Sequence, residues 1–189
     1  MRAFIAVVLP ERVRRSLHAL QERLAEHPAD VTWVDPEHLH ATLKFLGEID
    51  DAQRLGLTEL LEWCAGEEPP FQARLGGLGG FPSIAAPRVI WAGFEEGQEP
   101  LTRLAQRLEA GCARLGLREE ERPFSAHLTL GRVRSPKGLG PLARALQTLE
   151  WPALAPWTVE RVTLYQSVLG GRGPRYTVLA ERRLGASSA

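Results

Sequence analysis

The tetrapeptide His-x-Thr-Leu occurs twice in this chain, as His40-Ala41-Thr42-Leu43 and as His127-Leu128-Thr129-Leu130. Hydrophobic periodicity predicts strands and helices around both copies. In the first half their order is strand, helix, strand, strand, helix and strand, at 2–9, 11–27, 31–34, 38–46, 51–65 and 71–82. In the second half it is strand, helix, strand, short helix and two strands, at 88–94, 99–115, 124–133, 139–149, 157–168 and 176–183. Duplication is the economical explanation, because the period is too long and the copies too few for a solenoid or propeller.

The duplication predicts an α+β fold in which βαββαβ-like halves form two antiparallel sheets. We expect these sheets to face each other across a central groove, with the helices on their outer faces. A length of 189 residues suits one bilobal domain over 1–189. We place the pseudo-repeats at about 1–83 and 87–184, followed by a flexible tail at 185–189.

Composition narrows the choice of function only slightly. The 23 basic and 23 acidic residues balance, and all of the basic residues except Lys44 and Lys137 are arginines. Arginine suits phosphate recognition, but genome composition or heat tolerance produces the same bias. No apolar run has the length of a membrane span, and the first one comes too early for a signal peptide. We therefore expect a cytoplasmic protein.

The two cysteines, Cys64 and Cys112, lie on predicted helices without a partnering pattern. This arrangement indicates neither a disulfide framework nor a zinc site. We expect both thiols to be buried apolar side chains.

Each tetrapeptide places an imidazole and a hydroxyl on one face of a strand. Side chains of a strand alternate between its faces, so His40 and Thr42 point the same way, as do His127 and Thr129. An approximate twofold relation between the halves would bring both pairs to one ligand. Two imidazoles with separated pKa values supply a base and an acid near neutral pH, and the hydroxyls supply donors. This set suits the opening of a cyclic phosphodiester by water.

The repetition distinguishes these histidines from the others. A single histidine on a strand is more often structural, and His18, His27 and His38 lack both the threonine and the repeat, so we assign them no role. Metal sites usually add further histidine, cysteine or carboxylate ligands, whereas the repeated companion here is threonine. We therefore predict no metal and no cofactor.

Two further patterns bear on phosphate binding. No Gly-x-x-x-x-Gly-Lys-Ser/Thr loop occurs, which argues against hydrolysis of nucleoside triphosphates. The glycine pairs at 76–77 and 79–80 indicate a loop or a strand bulge rather than a phosphate cradle.

Segments along nearly the whole chain resemble the two-histidine phosphoesterase superfamily. The resemblance is specifically to its bacterial and archaeal RNA 2′,3′-cyclic phosphodiesterase branch, also named 2′-5′ RNA ligase. It is carried by RAFIAVVLP, WVDPEHLHATLKFLGE, GGFPSIAAPRVIWAG, FSAHLTLGRV and VTLYQSVLGGRGPRYTVL. The histidine and threonine of both HxTx motifs match the family pattern.

The resemblance implies metal-independent hydrolysis of RNA 2′,3′-cyclic phosphate ends to 2′-phosphates. It also implies a weak, reversible, ATP-independent 2′-5′ joining to 5′-hydroxyl ends. By the same resemblance His40 is the proton donor and His127 the proton acceptor, an assignment that the nearly symmetric repeat does not provide. We expect a monomer that acts in RNA processing, with tRNA fragments among its candidate substrates.

Thr42, Thr129 and Arg132 are the predicted substrate-binding residues. Continued alternation would place Arg132 on the strand face opposite Thr129. Gly131 permits a bulge, however, and a bulge would turn Arg132 inward to contact phosphate.

Aromatic residues near the motifs are candidates for base stacking, as in sites for single-stranded RNA. Trp33 and Phe45 flank the first motif. Strict alternation groups Lys44 with His40 and puts Phe45 on the opposite face, so we expect Phe45 to pack in the core. On the resemblance alone, three further residues line the groove: Tyr165, Ser167 and Tyr176.

Two alternative functions stay open at this point. A non-catalytic module that binds RNA ends would need a similar groove, and its function would survive replacement of either motif histidine. The same chemistry could also act on small cyclic nucleotides, which a comparison of oligonucleotide and mononucleotide substrates would reveal.

Overall fold

The structure, a computed structural model, describes residues 1–170 and 173–186. The strands are β1 (Arg2–Val8), β2 (Val31–Trp33), β3 (His40–Glu48), β4 (Phe71–Phe81), β5 (Val89–Glu96), β6 (His127–Val133), β7 (Trp157–Val159), β8 (Arg161–Gly170) and β9 (Gly173–Arg183). The helices are α1 (Glu11–Ala25), α2 (Asp51–Gly66), α3 (Gln98–Arg114) and α4 (Leu139–Thr148), with a 3₁₀ turn at Pro36–His38. The last three residues of the tail predicted at 185–189 lie outside the described residues.

The strands form two antiparallel sheets, which confirms the predicted α+β class. The first sheet has the strand order β3-β1-β8-β9, and the second has the order β2-β6-β5-β4-β7. Helices α2 and α3 pack on the first sheet, whereas α4 packs on the second and also contacts α1. Each tetrapeptide therefore lies in its own sheet, the first on β3 and the second on β6.

Each sheet combines strands from both halves of the chain. Strand β2, from the first half, pairs with β6 in the second sheet, and β8, from the second half, pairs with β1 in the first. The two lobes are therefore not the two halves of the sequence. The pseudo-repeat boundaries at about 1–83 and 87–184 describe the order of elements and stay a prediction.

The strand predicted at 157–168 is two strands, β7 and β8. The first of them pairs with β4 in the second sheet, and the other pairs with β1 in the first sheet. Glu160, between them, is the point where the chain passes from one sheet to the other. Periodicity missed this break because both strands are apolar on alternate positions.

The helical patterns are confirmed in the core. The buried residues of α1 include the predicted Val13, Leu17, Leu20 and Leu24, and those of α3 include the predicted Leu101, Leu104, Leu108 and Cys112. Cys64 and Cys112 are free and buried, as expected. Burial raises the pKa of the two thiols to about 12 and about 11, so both are protonated. Among the described residues, no helix has the length and apolar character needed to cross a membrane.

The buried side chain of Gln21 joins α1 to the second motif strand. Its Nε2 donates to the carbonyl of Leu130 at 2.9 Å and to the carbonyl of Val34 at 2.8 Å. The backbone N–H of Val34 donates to the same Leu130 carbonyl at 2.9 Å. Val34 lies between β2 and the 3₁₀ turn that precedes His40, so this cluster connects the approach to the first motif with the last residue of the second motif.

Replacing Gln21 with methionine keeps the length of the side chain and removes both N–H donors. The part-buried carbonyl of Val34 then loses this partner, and we expect the free energy of unfolding to fall by about 1–3 kcal/mol. Urea denaturation measures the change. The matched control is Gln147→Met, because Gln147 is exposed on α4; we expect it to change stability by less than about 0.5 kcal/mol. Equal stabilities of the two variants would contradict the role of Gln21.

Candidate active site

A β-bulge follows the threonine in both motifs. In the β1–β3 ladder Ala6 pairs with Thr42 and Ile5 pairs with Lys44, so Leu43 is the extra residue. In the β5–β6 ladder Trp91 pairs with Thr129 and Ile90 pairs with Gly131, so Leu130 is the extra residue. One extra residue shifts the alternation of all side chains beyond it to the other face. The duplication therefore includes the bulge at the fourth position of each tetrapeptide.

The prediction for Phe45 was wrong because of this bulge. Phe45 pairs directly with Phe4, and the two rings are 6.4 Å apart between centroids. The Phe4 ring in turn stacks on the imidazole of His40, so Phe45 shares the face of His40. Its side chain is 57% exposed rather than packed in the core.

Lys44 is turned to the helix side by the same shift, although strict alternation grouped it with His40. It is only 2% exposed. Its Nζ forms an ion pair with Glu109 of α3 at 2.8 Å and donates to the carbonyl of Arg118 at 2.9 Å. These contacts hold β3 in its bulged form from the side opposite His40.

The bulge in β6 has the predicted effect on Arg132. Because Leu130 is the extra residue, Arg132 returns to the face of His127 and Thr129. Gly131 suits this position, because a Cβ there would lie 2.8 Å from the ring of Trp33. Trp33 is thus half-buried against β6 rather than free to stack a base.

Each motif histidine is hydrogen-bonded through Nδ1 to the backbone carbonyl of the residue two positions earlier in the chain. Nδ1 of His40 lies 2.6 Å from the carbonyl of His38, and Nδ1 of His127 lies 2.7 Å from the carbonyl of Ser125. A carbonyl oxygen only accepts, so Nδ1 donates its proton in both cases. Nε2 is then the nitrogen that each imidazole offers to a ligand, as a base when neutral and as an acid when protonated.

Aromatic rings of the first sheet enclose His40. Phe4 stacks on the imidazole with centroids 4.8 Å apart, and Tyr176 meets it edge-on at 5.5 Å. Tyr165 stacks on the ring of Phe4, with the two centroids 5.3 Å apart. Burial lowers the pKa of His40 below its ordinary value, although the hydrogen bond to His38 acts in the opposite direction. The free protein therefore keeps this imidazole neutral at neutral pH.

His127 lies beside a different pair of rings. Phe81 meets it edge-on at 5.1 Å, and Trp91 lies 6.2 Å away. The indole of Trp91 packs against Gly79 of the neighbouring strand, where a Cβ would lie 2.1 Å from it. Both predicted glycine pairs lie within β4, and the β4–β5 register shifts between Leu75 and Leu78. The pair at 76–77 therefore marks a strand irregularity, as the sequence indicated, whereas Gly79 and Gly80 pair regularly with Trp91 and Ile90.

Arg132, on the second sheet, acts electrostatically on Tyr176 of the first sheet. Burial raises the pKa of the Tyr176 phenol, and the positive charge of Arg132 opposes that rise. The guanidinium is therefore within electrostatic reach of Tyr176, whose ring also lies 4.7 Å from His38. Ser167 pairs with Tyr176 in the β8–β9 ladder and shares its face.

The two motif threonines are half-buried on the faces of their histidines. Within the described part of the chain, neither hydroxyl forms a hydrogen bond with a protein group. Both can therefore donate to a ligand in the groove.

Sequence reasoning missed the rings that surround the histidines. Phe4, Phe81 and Trp91 come from neighbouring strands, and their contacts depend on the register of pairing. Gly79 lies opposite the large ring of Trp91, but this close approach is visible only once the register is known. The 1–170 and 173–186 ranges contain no group of three or more histidine, cysteine or carboxylate side chains that could hold a metal ion.

Comparison with known proteins gives matches along almost the entire chain. The family model described as the 2′-5′ RNA ligase superfamily matches residues 9–171. An RNA 2′,3′-cyclic phosphodiesterase of Thermus thermophilus is 40% identical over 188 residues, covering 95% of this chain and 88% of that protein. The crystal structure of a Thermus thermophilus protein matches with a TM-score of 0.80 and 34% identity, covering 100% of both chains. The crystal structure of E. coli LigT complexed with 3′-AMP matches with a TM-score of 0.76 and 28% identity, covering 98% of both chains.

The enclosure of His40 predicts a pH dependence of stability. As the pH falls below about 6.5, unfolded chains bind a proton at this position that folded chains do not, so the folded state is destabilised. We expect His40→Gln to lose less unfolding free energy than the wild type between about pH 7.5 and about pH 5.5, as measured by urea denaturation at both values. The control His18→Gln, at an exposed site on α1, should retain the wild-type dependence. If His40→Gln and the wild type lose the same amount, the imidazole is not desolvated.

Proposed function

This chain belongs to the 2′-5′ RNA ligase superfamily, and on that premise we propose that it hydrolyses 2′,3′-cyclic phosphate ends of RNA to 2′-phosphates. The proposed catalytic residues are His40 as proton donor and His127 as proton acceptor. The proposed substrate-binding residues are Thr42, Thr129 and Arg132. The mechanism needs no metal and no cofactor.

One observation carries the proposal. Strands β3 and β6 contact each other although they belong to different sheets. Their two imidazoles are held in the same way, each through Nδ1 to a carbonyl two residues earlier in the chain. Each therefore presents Nε2, and one cyclic phosphate between them can meet a base on one side and an acid on the other. Opening the ring requires both groups at once.

The reaction begins with water placed opposite the 3′ oxygen of the cyclic phosphate. Nε2 of His127 accepts a proton from this water as its oxygen forms a new bond to phosphorus. The bond between phosphorus and the 3′ oxygen breaks, and Nε2–H of His40 donates its proton to that oxygen. The products are a 2′-phosphate and a free 3′-hydroxyl, and the net proton count of the two histidines is restored by transfer through solvent.

Substrate binding favours protonation of His40, and the proton itself comes from solvent. Burial lowers the pKa of His40 in the free protein, which favours the neutral imidazole. An anion beside Nε2 has the opposite effect, because a nearby negative charge favours the protonated form. We infer that His40 takes up its proton together with the phosphate, so that the acid is charged only when substrate is present.

The remaining groups stabilise charge on the non-bridging phosphate oxygens. Thr42 and Thr129 offer one hydroxyl from each sheet, on the same faces as the histidines. Arg132 adds a guanidinium near Tyr176, at the His40 end of the groove. Donors directed at developing charge are among the largest contributions to catalysis.

The same geometry supports a joining reaction. A 5′-hydroxyl of a second RNA can take the place of water, and the product is then a 2′-5′ phosphodiester. The name of the matched family supports ligation as a side activity, which we propose to be reversible and ATP-independent. We also propose that the protein is a cytoplasmic monomer that acts in RNA processing, with tRNA fragments among its substrates.

Replacing either motif histidine tests the central proposal. We expect His40→Ala and His127→Ala each to lower kcat by about 10²–10⁴-fold, because each removes one of the two proton transfers. The assay uses an oligonucleotide that ends in a 2′,3′-cyclic phosphate, with a chelator present, and identifies the product. His18→Ala is the matched control and should retain full activity.

Three results would contradict the proposal: a 3′-phosphate product, loss of wild-type activity in the chelator, or full activity of both histidine variants. The last result would favour the alternative, a non-catalytic module that binds RNA ends. Similar kcat/KM values for an oligonucleotide and for a mononucleotide would favour a phosphodiesterase of small cyclic nucleotides.

The proposed role of the threonine hydroxyls can be tested separately from that of the histidines. We expect Thr42→Val and Thr129→Val each to lower kcat by about 10²–10³-fold, because each variant keeps the shape of the side chain and removes one donor to the transition state. KM should change much less than kcat. Thr102→Val on α3 is the control, and a loss confined to KM would show that the hydroxyls bind substrate without stabilising the transition state.

A further inference from the structure

We propose that His38 is a positioning residue that limits how readily the proposed acid, His40, takes up its proton. A positive charge on the His38 imidazole opposes a second positive charge on His40, whereas a neutral His38 does not. This inference rests on the proposed function and names a control on the acid of that same site. Sequence reasoning assigned His38 no role, because it lies outside the repeated motif.

The backbone around His38 is fixed by hydrogen bonds. His38 ends the 3₁₀ turn Pro36–His38, where its N–H donates to the carbonyl of Asp35 at 2.8 Å. The Asp35 carboxylate caps the same turn by accepting from the N–H of Glu37 at 2.9 Å. The His38 carbonyl is therefore held where it accepts the Nδ1 proton of His40 at 2.6 Å.

The imidazole of His38 lies close to that of His40. Its ring centroid is 4.7 Å from that of Tyr176 on β9, and the same phenol ring meets the imidazole of His40 edge-on at 5.5 Å. Both imidazoles therefore contact one side chain. Because His38 is half-buried, water screens only part of the interaction between their charges.

Among the described residues, no carboxylate pairs with the imidazole of His38, and neither of its ring nitrogens forms a hydrogen bond with a protein group. The charged and titratable groups around it come from its own turn, α1, β3, β6 and β9: Glu37, Arg14, His40, Arg132 and Tyr176. The exposed carboxylate of Glu37 is directed at Arg14 of α1, 4.0 Å away. Arg132 adds a positive charge near Tyr176. A charge on His38 is therefore not compensated by these neighbours.

His38 acts on His40 in two opposite ways. Burial is the main cause that lowers the pKa of His40. The hydrogen bond to the His38 carbonyl raises this pKa, and the charge of the His38 side chain lowers it. Like charges in one site disfavour each other's charged forms. The carbonyl thus holds the proton on Nδ1, whereas the imidazolium opposes a proton on Nε2.

This opposition limits what acid conditions can do for the proposed acid. Imidazoles take up protons as the pH falls through about 6.5. The protonated fraction of a lone acid rises steadily in that range, whereas His40 beside a charged His38 gains less. The charge of His38 also attracts the substrate phosphate. A lower pH therefore improves substrate binding more than it improves proton donation.

Two substitutions that differ in charge test this control in the free protein. His38→Gln keeps the backbone carbonyl and removes the charge, whereas His38→Lys keeps a positive charge throughout. NMR titration of the His40 ring protons gives the measurement. We expect the His40 midpoint to rise by about 0.3–1 pH unit in His38→Gln, as for partly solvated charges. In His38→Lys the midpoint should stay at the wild-type value or fall below it.

His18 provides the matched control. It is exposed on α1 beside Glu22, whose carboxylate lies 3.7 Å from its Nε2. His18→Gln removes a histidine far from the groove in the same way, and we expect it to leave the His40 midpoint unchanged. Urea denaturation verifies that each variant is folded.

The pH dependence of the kinetics connects this titration with catalysis. The substrate is a nucleoside 2′,3′-cyclic phosphate. In His38→Gln, the limb of the kcat profile on which His40 loses its proton should move to higher pH, and in His38→Lys it should not. At about pH 5.5, KM should rise in His38→Gln, because the phosphate loses an attractive charge, while His38→Lys should retain the wild-type KM.

Three results would overturn the inference. Equal His40 midpoints in His38→Gln and the wild type would show that no charge on His38 reaches His40. A rise of the same size in both variants would show that the loss of the ring, rather than of its charge, acts on His40. An unmoved kcat limb in His38→Gln would show that catalysis does not depend on this charge. If the wild type opens no cyclic phosphate, the proposed function fails, whereas titration of the free protein still decides whether His38 controls His40.

Discussion

Backbone pairing between strands from opposite halves of the chain is the constraint on which the groove depends. Strand β2 completes the sheet that carries the second motif, and β8 and β9 complete the sheet that carries the first. Gln21 adds hydrogen bonds from α1 to Val34, before the first motif, and to Leu130, within the second motif. Ladder hydrogen bonds cannot shift without breaking register. The two histidine strands are therefore held by shared sheets rather than by a flexible connection.

The two bulges decide which side chains the sheets present beside the histidines. Each comes directly after a His-x-Thr pair, and each returns a residue to the groove face that plain alternation would send to the helix side. On the first strand the returned residue is Phe45, and the displaced Lys44 forms a buried ion pair with Glu109. On the second strand the returned residue is Arg132. The same kind of bulge therefore places an aromatic ring on the histidine face of one sheet and a guanidinium on that of the other.

The two motif histidines lie in different surroundings although their motifs are the same. Both imidazoles have the same hydrogen bond from Nδ1 to a backbone carbonyl. Their surroundings differ, since His40 stacks on Phe4, whereas His127 meets the edge of Phe81. The proposed mechanism needs an acid and a base in one site, and different surroundings are the usual way to separate such roles. The asymmetry therefore lies in neighbouring strands and not in the tetrapeptides.

Local patterns in the sequence determined the elements of this protein and its repeated chemistry. Periodicity predicted nearly every helix and strand, and the repeat singled out His40, Thr42, His127 and Thr129, because both signals depend only on residues close together in the chain. Tertiary structure alone decided which strands share a sheet and which rings surround each histidine. It also decided the orientation of Phe45 and Lys44, and it selected the inward of two orientations foreseen for Arg132. The physical reason is that a bulge exists only relative to its partner strand, and that partner lies far away in sequence.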